Sequence, residues 1–288
     1  MHTRLRCACP VPDPVAAVRG CRTASPRRRT SGSRCRGFNR LAALPLLLAG
    51  ACATARPASA PIATSRLGIA KTTGTVVRGV VQLEAGYLRG HQDGRTRQNF
   101  GETLLRVGLG PRTEARIGVP SYQRTATLAA TVEGLGDASL AVKHRLRDAA
   151  HGLPAVGVVV GSTVPVGADR VSAGAFQPEA ALLTEWKLPE GFRALGMASF
   201  RDAVAAGDRY GLTTLVGAAR RGIGPRTVAQ LDYAWATSTR AGASDVHQLR
   251  AGAAVRLTPS LQLDAWAGRA STAGVHERLF GLGFARRW

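Results

Sequence analysis

From Leu249 to Leu257 the side chains change character at every step: Leu249, Ala251, Ala253, Val255 and Leu257 alternate with Arg250, Gly252, Ala254 and Arg256. Successive side chains of an extended strand point to opposite faces, so a period of two predicts a strand with one apolar face and one face carrying two arginines. The same pattern sets Val81, Leu83, Ala85 and Tyr87 against Gln82, Glu84 and Gly86, and Ala115, Ile117 and Val119 against Glu114, Arg116 and Gly118. Leu261, Leu263 and Ala265 against Gln262 and Asp264, and Phe280, Leu282 and Phe284 against Gly281 and Gly283, repeat it. Leu140 and Val142 against Ser139, Lys143 and Arg145 do so less cleanly, because His144 falls on the apolar face.

The connections turn a set of strands into an architecture. The tetrapeptide GPRT stands at Gly110–Thr113 and again at Gly224–Thr227, and 188–191 and 258–260 are further tight turns. Between them lie longer polar stretches, 90–98, 125–134, 167–175, 202–208, 239–245 and 270–275, expected as loops. Short and long connections in alternation are the pattern of an outer-membrane barrel. The expected fold is all-β: a transmembrane antiparallel up-and-down β-barrel of about 12 strands over 79–288, with both termini at one end. Polar groups cannot face lipid cheaply, so the charged faces should line the lumen. Glu84, Arg106, Glu114, Arg116, Lys143, Arg145, Arg250, Arg256 and Asp264 are the lumen-lining candidates, with Arg193, Glu179, Glu185 and Asp232 beside them. Their mixed signs suggest cross-strand ion pairs. The 34 glycines, about 12% of the chain against the usual ~7%, fall at turns or alternate positions, where they permit barrel curvature. A soluble β-sandwich would alternate as well, but only 5% of the chain is aromatic, a thin supply for its core.

The first 60 residues differ sharply in composition. They hold 11 arginines against the single acid Asp13, and all five cysteines of the chain. Basic residues ending at Arg40, the apolar run Leu41–Ala51, and small residues ending in Ala58-Ser59-Ala60 follow the order of a secretory signal, with cleavage expected after Ala60. The apolar run is too short for a membrane-spanning helix, which needs about 20 residues. A second reading takes Ala49-Gly50-Ala51-Cys52 as a lipoprotein box with Cys52 acylated. The long basic lead is either an extended signal or the product of a start codon placed too early. Residues 61–78 are then expected as a short periplasmic segment ahead of the barrel. This head carries +10 of the overall charge of +21 but lacks any aromatic or Gly-rich recognition element, so no nucleic-acid partner is expected.

At the other end, Phe280, Leu282, Phe284 and Trp288 share one face of the closing strand, and a terminal aromatic on such a strand is similar to the signal read by the barrel assembly machinery. Tyr87, Phe100, Phe176, Phe200, Tyr210 and Phe280 fall near one end of the expected strands, and Trp186, Phe192 and Trp288 near the other, as interfacial belts would.

Four segments in order carry a family resemblance: LLRVGLGPRTEARIGVPSY (104–122), GLGDASLAVKHRL (134–146), PAVGVVVGSTVPVG (154–167) and RLTPSLQLDAWAG (256–268). Over about 75–288 the chain resembles the outer-membrane transporters associated with the meta pathway of phenol degradation, and GLGDxSLxxKxRL is the most specific stretch. The resemblance implies an outer-membrane barrel that admits small aromatic or other apolar compounds, without fixing the solute or any binding residue.

Nothing in the chain points to catalysis. The body histidines form no His-x-His or His-x3-His pair, so no metal is expected, and there is no G-x-S-x-G elbow or phosphate-binding loop. No catalytic residue and no cofactor is assigned, and the protein is not expected to be an enzyme. Two functions stay open: a transporter or channel for small, aromatic or anionic solutes, or a structural or adhesive surface barrel with a closed lumen. The expected partners are outer-membrane lipids, the assembly machinery and a small-molecule solute. The oligomeric state stays open.

Overall fold

A computed structural model of the chain describes residues 61–288. The export and lipidation expectations at Ala60 and Cys52 lie outside the described residues. From Val81 onward the described residues form one closed antiparallel sheet of twelve barrel strands. In chain order these are β1 (Val81–Gln92), β2 (Arg95–Phe100 and Thr103–Gly108), β3 (Thr113–Val119 and Tyr122–Thr127), β4 (Thr131–Leu135 and Ala138–Arg147), β5 (Ala155–Val164) and β6 (Gln177–Lys187). They continue with β7 (Phe192–Ala205), β8 (Asp208–Ile223), β9 (Thr227–Ser238), β10 (Val246–Thr258), β11 (Leu261–Thr272) and β12 (Val275–Arg287). Each pairs with its neighbours in sequence, and β12 closes on β1 through a register that runs from Gln82↔Arg287 to His91↔Arg278.

The period of two explains the wall. Glu84, Glu114, Lys143, Asp232 and Asp264 are buried toward the lumen, while Leu140, Val142, Leu231, Tyr233, Leu263 and Leu282, at the alternate positions of the same wall, are exposed on the outside. An apolar exterior over a polar interior inverts a soluble fold and suits hydrocarbon. No helix among the described residues is long and apolar enough to cross a membrane, so crossing falls to the strands.

The connections depart from the alternation read in the sequence. Four of the six polar stretches expected as loops are mostly strand, with turns inside them at 93–94, 128–130, 206–207 and 273–274, and the other two remain as longer segments at 165–176 and 239–245. Ala206-Gly207 and Ala273-Gly274 carry positive φ at both residues (53° and 87°, 48° and 81°), the conformation of the two-residue turn that matches strand twist. All the strands but β5 and β6 therefore outrun the 9 to 11 residues that a crossing needs; β8 has 16. Polar composition marked where they leave the apolar layer, not where they end. We call the end bearing both barrel termini the terminal end, and the end bearing 165–176 and 239–245 the far end.

Three adjacent strands break at one level, at Gly101-Glu102, Pro120-Ser121 and Gly136-Asp137. Beyond the break, 131–135 of β4 pairs with β3 but has no partner strand on its other side. Loop 165–176 covers that edge. The Ala168 amide donates to the Leu135 carbonyl at 2.8 Å, and both oxygens of Asp137 accept loop amides, from Gly167 and Ala173, at 3.0 Å each.

Candidate functional site: a plugged lumen

Residues 61–80 form no helix or strand, yet Ile62, Leu67, Ala70, Val76 and Val80 are buried. The expectation of a periplasmic lead-in is corrected here, because the segment lies inside the barrel. A backbone without secondary structure must satisfy its amides and carbonyls some other way when buried. Here the wall's inward side chains supply the partners that a neighbouring strand would have supplied.

Four carboxylates receive the plug's N–H groups. Glu84 accepts from Ser65 N at 2.7 Å and from the Thr64 hydroxyl at 3.0 Å. Asp232 accepts from Ile69 N and Ala70 N at 3.2 and 2.9 Å, Glu185 from the amide and hydroxyl of Thr73 at 3.1 Å each, and Glu114 from Val76 N at 2.6 Å. The carbonyls are met by donors: Lys143 Nζ reaches Thr72 O and Gly74 O at 2.6 Å each, Gln82 and Arg106 reach Ala63 O at 3.0 Å each, and Gln230 reaches Ala70 O at 3.3 Å. These side chains come from six strands, so the plug ties opposite walls together.

Beneath the plug the charges neutralise one another. Arg106 bridges Glu84 at 3.0 Å and Glu114 at 2.8 Å, and Arg116 meets Glu114 at 2.8 Å. Buried charges are tolerated only when paired and hydrogen-bonded, which both arginines are. Lys71, on the plug, has its ammonium held below the usual lysine value by burial first and by Arg116 second, against an opposing pull from Glu179.

The inward glycines have a role that curvature alone does not cover. A Cβ at Gly86 would strike Arg66 of the plug, one at Gly108 the Val77 carbonyl, and one at Gly252 the backbone and side chain of Leu67. Conversely, a Cβ on Gly68 would strike Gln230 and Asp232. The wall is pared to backbone where the plug passes.

The plug divides the lumen. On its far side lies a cavity of about 650 Å³, lined by Arg66, Lys71, Arg116, Arg201, Arg250 and Trp266 among others; on the terminal side lies one of about 490 Å³, with Arg145, Arg193, Arg220 and Arg256 in its lining. In the far cavity the Arg250 guanidinium stacks 3.6 Å from the centre of the Trp266 ring. In the terminal cavity only Asp148 and Glu185 oppose six basic side chains.

The lumen-lining candidates fall into groups. Glu84, Arg106, Glu114, Arg116 and Lys143 come together as the central plug seat, Arg145 and Arg256 lie in the terminal cavity, and Arg250 faces the far cavity. Asp264 is buried beside Arg66, 3.9 Å away, with neither oxygen hydrogen-bonded. Arg193 and Glu185, 2.6 Å apart, and Arg201 and Glu179 pair across strands, as Arg106 does with Glu84 and Glu114, but Asp232 and Arg250, which are in register, do not, because Asp232 serves the plug and Arg250 stacks on Trp266. Phe280, Leu282, Phe284 and Trp288 are all exposed on the outside of the closing strand and its end. The plug itself was missed, and its signal lay in the inward glycines, which leave the wall without side chains where something else must fill the space.

A family model described as "Putative MetA-pathway of phenol degradation" matches residues 64–288. No curated protein matches the chain. Among solved structures, an outer membrane channel from Pseudomonas putida F1 is similar at 16% identity and a TM-score of 0.55, over 75% of this chain and 98% of that one. The NanC porin is similar at 8% identity and a TM-score of 0.51, over 72% and 98% respectively. At these identities the likeness is one of fold.

Proposed function

The chain belongs to this phenol-degradation family, and from that premise we propose that it is an outer-membrane channel for small solutes, kept shut at rest by residues 61–80 and opened when they move. The observation that carries the proposal is the plug's mode of attachment: no strand of its own, hydrogen bonds to side chains of the wall, and a cavity on either side. Only Gly79 and Val80, at its base, exchange backbone bonds with the wall, at Gly108; the part ahead of them is bound through side chains and can leave without breaking a rung of the barrel's backbone ladder.

The solutes we assign are small anions, aromatic carboxylates among them. In the far cavity the Arg250–Trp266 stack offers a cation and an aromatic face together, and arginines dominate the terminal cavity, a fixed positive field that favours anions. With the termini periplasmic, as is usual for such barrels, the far cavity opens outward. No step of chemistry is assigned to the protein, so it is read as a channel and not as an enzyme.

The test is reversal potential in planar bilayers under a gradient of sodium benzoate, for the chain lacking 61–76 and for the same chain carrying R220Q and R256Q. We expect a conducting, anion-preferring pore whose preference falls in the double variant. A deleted chain that stays silent would favour the closed surface barrel instead. A pore that prefers cations would overturn the solute class alone.

A further inference from the structure

We propose that the outer wall near the far ends of β1, β11 and β12 binds the phosphate groups of a lipid A-type glycolipid in the outer leaflet. The site stands on a violation of ordinary sheet pairing. Arg269 of β11 and Arg278 of β12 are direct cross-strand partners, and Arg278 is in turn opposite His91 of β1. Like charges directly opposite one another destabilise a sheet unless something between them is negative.

No carboxylate performs that service. Among the described residues, Arg89, Arg269 and Arg278 form no ion pair, and all three are exposed. Their neighbours fix the direction in which they point. Leu249, in register with Arg269, and Phe280, in register with Arg89, are exposed on the outside of the wall, whereas Glu277, one residue from Arg278, reaches Arg97 on the other face at 3.2 Å. Arg269 and Arg278, together with His91, Gln92, Asp93 and His276, line a recess of about 320 Å³. Asp93 is the one acid there, at the turn.

Position along the strand selects a lipid over a free anion. One rung toward the terminal end lies Arg89 opposite Phe280, and one rung further Tyr87 opposite both Phe100 and Leu282. The rings of Tyr87, Phe100 and Tyr122 form a continuous patch, with centroids 5.0 and 6.1 Å apart. Aromatic belts mark the membrane–water interface. The guanidinium groups therefore sit just outside the apolar layer, above a wall of Phe280, Leu282, Phe284 and Leu263. Forked donors above an apolar surface suit a phosphorylated headgroup whose acyl chains run down the barrel.

The proposal rests on the far end facing outward. It does not require the barrel to conduct, so its test is independent of the channel reading. The purified full chain in detergent is titrated with diphosphoryl lipid A and followed by native mass spectrometry, with dephosphorylated lipid A and millimolar inorganic phosphate as separate arms. Heat-modifiable gel mobility confirms that each variant is folded. We expect one diphosphoryl lipid A per barrel, at least tenfold weaker binding by R89Q/R269Q/R278Q, and unchanged binding by R286Q, which removes an arginine from the terminal end of β12. R269Q/R278Q, a milder change at the paired rung, should show a partial loss and serves as the deciding variant if the triple variant does not fold. Equal binding by the variants and the unaltered chain, or equal binding of dephosphorylated lipid A, would overturn the proposal. Full displacement by inorganic phosphate would reassign the site to free anions and overturn it as a lipid site.

Discussion

Asp232 is the place to ask whether side-chain bonds hold the plug. One of its oxygens accepts the amides of Ile69 and Ala70, at 3.2 and 2.9 Å. In D232A the seated plug keeps both N–H groups buried with no acceptor, at about 1–3 kcal/mol for each. Taking about 3 kcal/mol for the pair, and a factor of ten for every ~1.4 kcal/mol, the ratio of seated to unseated plug falls roughly 100-fold. Single-channel recording reads this ratio as the open fraction, with the chain lacking 61–76 defining the fully open level. D232N should stay near the unaltered chain, because the amide oxygen still accepts both bonds. G68V should resemble D232A from the plug's side, since its Cβ would collide with Asp232 and Gln230. The reasoning is refuted if D232A keeps the original open fraction while the deletion opens the pore. It also fails if D232N opens as widely as D232A, which would make charge, and not hydrogen bonding, the tie.

Three further outcomes follow from the geometry. In D137A, loop 165–176 loses two anchoring bonds, and protease added to outer-membrane preparations should cut within it at least several-fold faster while the barrel keeps its folded mobility; an unchanged rate would mean the Ala168–Leu135 bond suffices. W266A removes the ring that Arg250 covers, so benzoate should compete less well with chloride for the open pore, by a few-fold, in mixed-anion conductance; an unchanged ratio would remove the stack from the solute's path. Hydrogen bonds from Thr237 and then Trp235 hold the Asp245 carboxyl below its usual 3.8, so this contact is fully present above that value and is lost as pH falls through the lower folded value. The Trp235 contribution to fluorescence, taken as the difference from W235F, should hold steady from pH 7 to about 4 and change only below.

The wall was legible because alternation is enforced at every residue of a strand that divides lipid from lumen. Leu249 to Leu257, or Phe280 to Phe284, can be read from composition alone, and the inward set Glu84, Glu114, Lys143, Asp232 and Asp264 came with it. The turns were harder, since Asp202–Asp208 and Ala270–Val275 contain one short hairpin turn each, and polar strand beyond the membrane looks like loop. The plug was not legible because bonds from wall side chains to a backbone impose no period on the segment they hold. Between Pro61 and Val80 nothing repeats, and the information sits in the wall: Gly86, Gly108 and Gly252 as clearance, Glu84, Glu114, Glu185 and Asp232 as acceptors.

That division of labour changes what the lumen's charges mean. Charges of mixed sign inside a barrel look like a selectivity filter or a set of wall-to-wall ties, and Glu84, Glu114 and Glu185 do pair with wall arginines, yet they, with Asp232 and Lys143, also bond the plug. Were the plug to leave, those groups would lose its amides and carbonyls but keep their wall arginines, and the central lumen would become strongly hydrated and charged. The cost of that exposure is small for carboxylates and ammonium groups, whose hydration offsets the lost bonds. An apolar seat would have held the plug by burial alone and would have resisted wetting. A polar seat makes release and hydration one event, and leaves the preference between anions to the arginines on either side of it.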